Sequence, residues 1–324
     1  MKPRIIWMII GGLAIAIALY LIVQSNHLRQ EFSVSDSAIT SPAASTMSDR
    51  TEAKGLVPIS FASVSEFMEG PFRKLTLSGV AEPSSVIVLQ NRGDRLRQIK
   101  VTEEGAWNVT LDIDGQAMVI EALMYMDDET VNVRAEEMIF RIPVPKSPDV
   151  AATEFTSDAL IMVSAPGSPT RIIQSPFGGS PTNEALTIGA VDYDDAGGVI
   201  FSGTTSVPGR IRLYAGNAAI GETRIGAEGR WNFIAGKMLP FGEYIIRAEL
   251  IQPNAERLGI SVPFERLPPL RPAQGGEGAL SVTFEPYRWQ VRRSLIGGGT
   301  QSTVIFAPNV IIPEEDLKLI DAEP

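Results

Sequence analysis

EGAWNV, Glu104–Val109, returns as EGRWNF, Glu228–Phe233, 124 residues later. The correspondence runs without gaps over VTEEGAWNV (Val101–Val109) and IGAEGRWNF (Ile225–Phe233). At the same offset Leu77-Ser78-Gly79 faces Phe201-Ser202-Gly203. A proline follows each, Pro83 and Pro208, and then a β-rich run, Val86–Leu89 and Ile211–Tyr214. Pro143-Val144 and Pro263-Phe264 close the two units. The chain therefore writes one supersecondary plan twice, in units of roughly 85 residues, the scale of a small sandwich domain.

The strand after the first tryptophan alternates. Trp107, Val109, Leu111 and Ile113 are apolar, while Asn108, Thr110, Asp112 and Asp114 are polar. That is a period-two strand with one buried face. Gly105 and Gly229 supply the backbone freedom for a tight turn just ahead of it. The expectation is that Trp107 and Trp231 are core residues under an opposing sheet; the functional alternative is an exposed aromatic platform for sugars. Ser78-Gly79 and Ser202-Gly203 are read as strand ends where the chain turns, and an insert in the first copy is expected around Asn91–Arg97.

Composition narrows the function. Gly (29) and Pro (23) are plentiful across 324 residues, and helical periodicity is scarce, which favours turn-rich β domains. A net charge of −10 repels phosphate backbones, so no nucleic-acid partner is expected. The chain has no cysteine, which excludes disulfides and thiolate chemistry. Its one histidine, His27, lies beside an apolar segment, so the folded body has no Ser–His–Asp triad and no two-histidine metal site. Carboxylates such as Glu103, Glu104, Asp112 and Asp114 sit on turns and a polar strand face without a nucleophile or oxyanion donor around them. No enzyme activity, cofactor or metal is expected.

Ile5–Val23 is free of charge and, at 1.5 Å per residue, long enough as a helix to span about 28 Å, close to a bilayer core. Lys2 and Arg4 ahead of it favour a cytoplasmic N-terminus. Its length and polar exit (Gln24, Ser25, Asn26, His27) favour an anchor over a cleaved signal peptide. The Ser/Ala/Thr/Asp-rich stretch behind it reads as a tether. Between the two repeats, Ala159–Val163 and Thr170–Gln174 flank Ala165–Pro169 as a hairpin. Asp192-Tyr193-Asp194-Asp195 raises calcium, but lacks the loop spacing of an EF-hand and reads rather as a turn.

Two resemblances emerge. Phe201-Ser202-Gly203, Pro208–Tyr214, Gly229-Arg230-Trp231 and Val262-Pro263-Phe264-Glu265 are similar to bacterial Ig-like β-sandwich domains of envelope proteins. Residues 279–324 resemble a LysM peptidoglycan-binding module, through Trp289, Val291, Arg292, Arg293, Leu295 and Gly297 for a first helix and its turn. Thr303–Phe306 and Asn309 match a second helix, and Ile312 and Asp316-Leu317 the segment after it. The module is degenerate: Glu285-Pro286-Tyr287-Arg288 replaces the usual Gly-Asp-Ser/Thr-Leu, and Pro308 stands inside the second helix. The resemblance implies a βααβ fold with a glycan groove lined by Tyr287, Arg288, Asn309 and Ile312, and with Trp289 in the core.

The expected organisation is thus mainly β: an anchor helix (1–24), a linker (25–55), a first Ig-like sandwich (56–145), a connecting segment with a hairpin (146–183), a second sandwich (184–268), a linker (269–278) and a small LysM-like module (279–324). The expected role is that of a non-catalytic, single-pass inner-membrane protein with its body in the periplasm, contacting peptidoglycan. The alternative is an assembly protein whose sandwiches contact other envelope proteins.

Overall fold

The structure, a computed structural model, describes residues 56–126, 131–146, 155, 157–177, 185–195, 198–236, 239–252, 258–270, 280–295 and 298–308. The expected anchor and the tether lie outside these residues. Among the described residues no helix is long and apolar enough to cross a membrane.

Ten strands come from the first half: β1 (Ser60–Glu69), β2 (Phe72–Val80), β3 (Val86–Asn91), β4 (Asp94–Lys100), β5 (Ala106–Ile113), β6 (Met118–Tyr125), β7 (Val131–Arg134), β8 (Met138–Pro143), β9 (Ala159–Ser164) and β10 (Arg171–Gln174). Ten more follow: β11 (Ala190–Asp194), β12 (Val199–Thr204), β13 (Arg210–Ala215), β14 (Ala218–Arg224), β15 (Arg230–Ile234), β16 (Gly242–Ile251), β17 (Leu258–Arg266), β18 (Leu280–Phe284), β19 (Arg288–Ser294) and β20 (Thr300–Phe306). The only described helix is the 3-10 turn Ala227–Gly229.

The strands form four sheets. Sheet A has the order β1-β2-β5 and sheet B the order β10-β9-β8-β6-β3-β4, with β7 also on β6. Sheet C runs β15-β12-β11-β20-β19-β18 and sheet D runs β14-β13-β16-β17. The repeat is a structural one: β1-β2-β5 corresponds to β11-β12-β15, and β4-β3-β6-β8 to β14-β13-β16-β17. Strands β3 and β13 begin at Val86 and Arg210, β4 and β14 at Asp94 and Ala218, β6 and β16 at Met118 and Gly242, each pair at the offset of the tryptophan motif. The insert expected around Asn91–Arg97 is therefore absent. Arg92 and Gly93, both with positive φ, close the β3–β4 hairpin.

Apolar residues on alternate strand positions divide these sheets into four layers, A, B, C and D. Leu75, Leu77, Ile87, Leu89, Trp107 and Ile120 fill the core between A and B. Phe201, Leu213, Trp231, Ile246, Val262 and Phe264 fill the core between C and D. A third cluster joins B to C: Val119, Phe140, Ile142, Leu160 and Met162 on B meet Trp289, Val291 and Ile305 on C. Strand β9 sends Ile161 and Val163 into the first core and Leu160 and Met162 into the joint. Strand β20 likewise sends Val304 and Phe306 into the second core and Ile305 into the joint. Both strands are buried along their whole length, as strands covered on both faces must be.

This arrangement overturns the LysM-like module. Its expected first helix, Trp289–Leu295, is mostly strand β19, and Thr303–Phe306 is part of β20. The physical reason is that Trp289, Val291 and Arg293 are buried on one face with Gln290, Arg292 and Ser294 between them, a period of two. A run as short as this one satisfies helical spacing by accident. The three C-terminal strands add to the free edge of β11, where β20 pairs antiparallel with Ala190 opposite Ile305 and Asp194 opposite Gln301. They complete sheet C instead of folding apart from it.

Candidate functional site

The repeated Gly-x-Trp motif is a packing device. Trp107 lies directly across the sheet from Gly79, and Trp231 from Gly203. A Cβ on Gly79 would collide with the Ser60 carbonyl oxygen and sit 2.7 Å from Trp107 Cζ2; on Gly203 it would collide with the Thr187 carbonyl and sit 2.6 Å from Trp231 Cζ2. These glycines lie within β2 and β12 and make room for the indole, so their role is not the turn read from the sequence. The turn belongs to Gly105 and Gly229 (φ 79° and 71°), whose carbonyls accept from Ala81 N–H and Thr205 N–H at 2.9 and 2.8 Å. Both indoles are 2 % exposed, and neither ring N–H has an acceptor among the described residues.

Trp289 is fully buried, but in the joint between B and C. The rings of Phe155, Phe177 and Phe284 stand edge-on around it, with centroids 5.9, 5.7 and 4.8 Å away. Tyr287 and Arg288 come together where the β18–β19 turn enters β19, with the Arg288 guanidinium 5.9 Å over the Tyr287 ring. The Arg288 guanidinium donates to the Glu285 carboxylate at 2.9–3.0 Å and to the Pro263 carbonyl at 3.3 Å. Asn309 and Ile312 lie outside the described residues. The turn between the two expected helices is here the β19–β20 hairpin, in which the Leu295 N–H donates to the Gly299 carbonyl at 2.9 Å.

Among the described residues, the buried polar chemistry in the joint is centred on Asp192, which the sequence pattern alone assigns to a turn. Asp192 is on β11, 2 % exposed. Thr170 Oγ1 and Thr303 Oγ1 each donate to its Oδ1 at 2.6 Å, and the Thr170 N–H donates to Oδ2 at 2.7 Å. Gln301 extends the network: its Nε2 donates to Ser164 Oγ and the Ala165 carbonyl at 3.1 Å, and its Oε1 accepts from Arg293 Nε at 2.8 Å. The Arg293 guanidinium also lies 5.3 Å over the Phe140 ring of sheet B. Burial pushes the Asp192 carboxyl up to about 6, against the opposing pull of the Thr170 and Thr303 hydrogen bonds and the Arg293 charge. The same burial lowers Arg293 to about 10. The bonds from Thr170 to Asp192 and from Gln301 to Ser164 and Ala165 cross between the two halves of the protein, while Thr303 and Arg293 support Asp192 and Gln301 from within the second. The geometry ties layers together: the two hydroxyls beside the carboxylate, Thr170 and Thr303, are buried and both donate to it.

A cavity of about 290 Å³ adjoins the network, between Thr170, Arg171 and Ile172 on one side and Ala190, Ser202, Gly203, Trp231 and Asn232 on the other. Its lining among the described residues holds two arginines, Arg171 and Arg230, and no carboxylate or histidine. The acidic run that raised calcium is dispersed: Asp192 points into the joint, and Asp195 Oδ2 accepts from Thr300 N–H at 2.6 Å. Among the described residues no group of three or more His, Cys, Asp or Glu side chains is placed to hold a metal.

The signal for the joint was present in the sequence. Ala159–Ser164 and Thr300–Phe306 are six- and seven-residue runs without a charge, the mark of strands covered on both faces. The pairing of Thr170 with Asp192 and Thr303 had none, because those contacts join residues 22 and 111 positions away. No family model matches the chain, and no curated protein matches it in sequence.

Proposed function

We propose that this chain is a non-catalytic assembly protein of the bacterial cell envelope. Residues 5–23 hold it in the inner membrane, and its Ig-like sandwiches stand in the periplasm as a contact surface for other envelope proteins. The observation that carries this reading is the B–C joint, in which the hydrophobic cluster around Trp289 and the Asp192 network lock two sandwiches into one body. A locked pair of sandwiches with its polar chemistry spent internally suits a rigid scaffold, whereas a catalyst needs reactive groups open to a substrate. With the LysM-like module overturned, contact through protein surfaces replaces glycan binding as the favoured mode.

The reading is tested by placing a photo-crosslinking residue at Ile234 or Phe241, which are 60 % and 54 % exposed, in the full chain in cells. A discrete heterologous protein adduct that survives muramidase digestion is the expected result. Adducts lost on digestion of the glycan, or none at either position, would replace it with direct peptidoglycan contact or no contact at all.

A further inference from the structure

The two repeats differ at one edge. In the second, β11 is flanked by β12 on one side and by β20 on the other. In the first, the equivalent strand β1 has β2 on one side and no strand among the described residues on the other. The registers define the correspondence. Ser78 pairs with Ser63 and Ser202 pairs with Ala190, so Ala190–Asp194, the span covered by β20, is equivalent to Ser63–Phe67. The start of β1 is closed off: the Phe61 N–H donates to Glu137 Oε2 at 3.1 Å, and the Phe61 carbonyl accepts from Arg171 at 3.0 Å. From Ser63 onward the backbone edge is open among the described residues.

The open edges β4 and β14 carry charged guards. Strand β4 presents Asp94, Arg95, Arg97 and Lys100, and β14 presents Glu222 and Arg224. Ser63–Phe67 has one charge, Glu66, and it is turned inward, its side chain 3 % exposed and bound to Arg141 and Arg73. Strand β18 is also uncharged, but no equivalent strand elsewhere in the fold shows its edge occupied. Just beyond Glu66 the β1–β2 hairpin tip exposes Phe67, Met68 and Phe72 by 45, 54 and 62 %.

We propose that β1 pairs antiparallel with β1 of a second copy of this chain, two-fold about Ser65, so that two A sheets become one sheet of six strands. An antiparallel pair of identical strands is isologous, so the one open edge satisfies both partners. In this register Ser65 meets Ser65, Phe67 meets Ser63, and Glu66 meets Val64, so no like charges face each other. The outer row then reads Thr110, Thr76, Ser65 and the same three again. It extends a hydroxyl ladder already present within one copy, where Thr76 Oγ1 and Thr110 Oγ1 are 2.9 Å apart and Ser63 Oγ and Ser78 Oγ 2.6 Å apart. The inference adds a self-contact to the assembly reading and can fail separately from it, because a monomer can still form the heterologous adducts described above.

The absence of native cysteine makes the test free of background. In the full chain, in membranes, Ser65→Cys places two thiols directly opposite each other, within the Cα separation a disulfide accepts. The expected result is an oxidant-dependent dimer for Ser65→Cys and none for Arg97→Cys on the guarded β4 edge. In detergent, light scattering should show a dimer that Ser65→Lys abolishes while circular dichroism stays unchanged, since Ser65 is exposed. A monomeric wild-type chain, equal crosslinking at positions 65 and 97, or a Ser65→Lys chain that remains dimeric would each overturn the proposal.

Discussion

At Gly203 the space for a side chain is already taken by the Trp231 indole and the Thr187 carbonyl. Gly203→Ala should therefore cost about 2–3 kcal/mol through overpacking. Trp231→Ala should cost about 3–5 kcal/mol through the void it leaves, and Trp231→Phe clearly less, because the indole N–H has no acceptor to lose. Urea unfolding of the full chain followed by circular dichroism measures all three. Asp192 makes a different prediction. Its folded carboxyl titrates near 6 against an ordinary 3.8, so between those values the folded state holds a proton that the unfolded chain has released. Stability should be highest below about pH 4 with respect to this group and fall as pH rises through 6, by on the order of 3 kcal/mol. Asp192→Asn should remove that slope, which a series of unfolding midpoints from pH 4 to 7 would show. The tryptophan and its turn glycine were legible in sequence as a motif. The cross-strand glycine was legible as a residue but not as a role, because the role depends on which strand lies opposite.

Single strands show why local pattern misleads. WQVRRS satisfies both a helical and an alternating template over its few residues, and pairing with β18 and β20 decides in favour of the strand. Strand β1 is tied to β8 by a buried ion pair that no pattern announced. Arg141 Nε and Nη2 donate to the Glu66 carboxylate at 2.7 and 3.0 Å, and Arg141 Nη1 donates to the Gly115 carbonyl at 2.6 Å. Removing Glu66 strands Arg141 in the core, whereas removing Arg141 leaves Glu66 its contact with Arg73. Glu66→Leu alone should cost about 3–5 kcal/mol, while Glu66→Leu combined with Arg141→Met should cost less than the sum of the singles. A double-mutant cycle on unfolding midpoints reads the difference.

On the scale of the whole molecule, the C-terminal strands are the second layer of the joint rather than a module of their own. In a fragment of residues 279–324 the described strands β18–β20 form one sheet without the sheet B side chains that cover it in the full chain, so the fragment should be unfolded by circular dichroism, where a LysM domain would fold. A chain truncated after residue 278 loses Trp289, Val291 and Ile305 from the joint and reopens the β11 edge. It should unfold at lower urea concentration, with the two sandwiches no longer melting as one transition. If that truncated chain keeps the midpoint and cooperativity of the full one, the joint contributes nothing to stability.

Local chemistry is enough to write strands, turns and an inward tryptophan, because alternation and glycine act within a few residues of themselves. The sequence by itself therefore determined the mainly β character, the duplication at a fixed offset and the exclusion of thiol and triad chemistry. Only the tertiary structure decided that residues 280–306 are three strands of the second sandwich's sheet, that Asp192 is a buried lock rather than a turn residue, and that the two sandwiches share a core. Each of those outcomes depends on which face meets which across more than a hundred residues of chain, and neither periodicity nor composition carries that information.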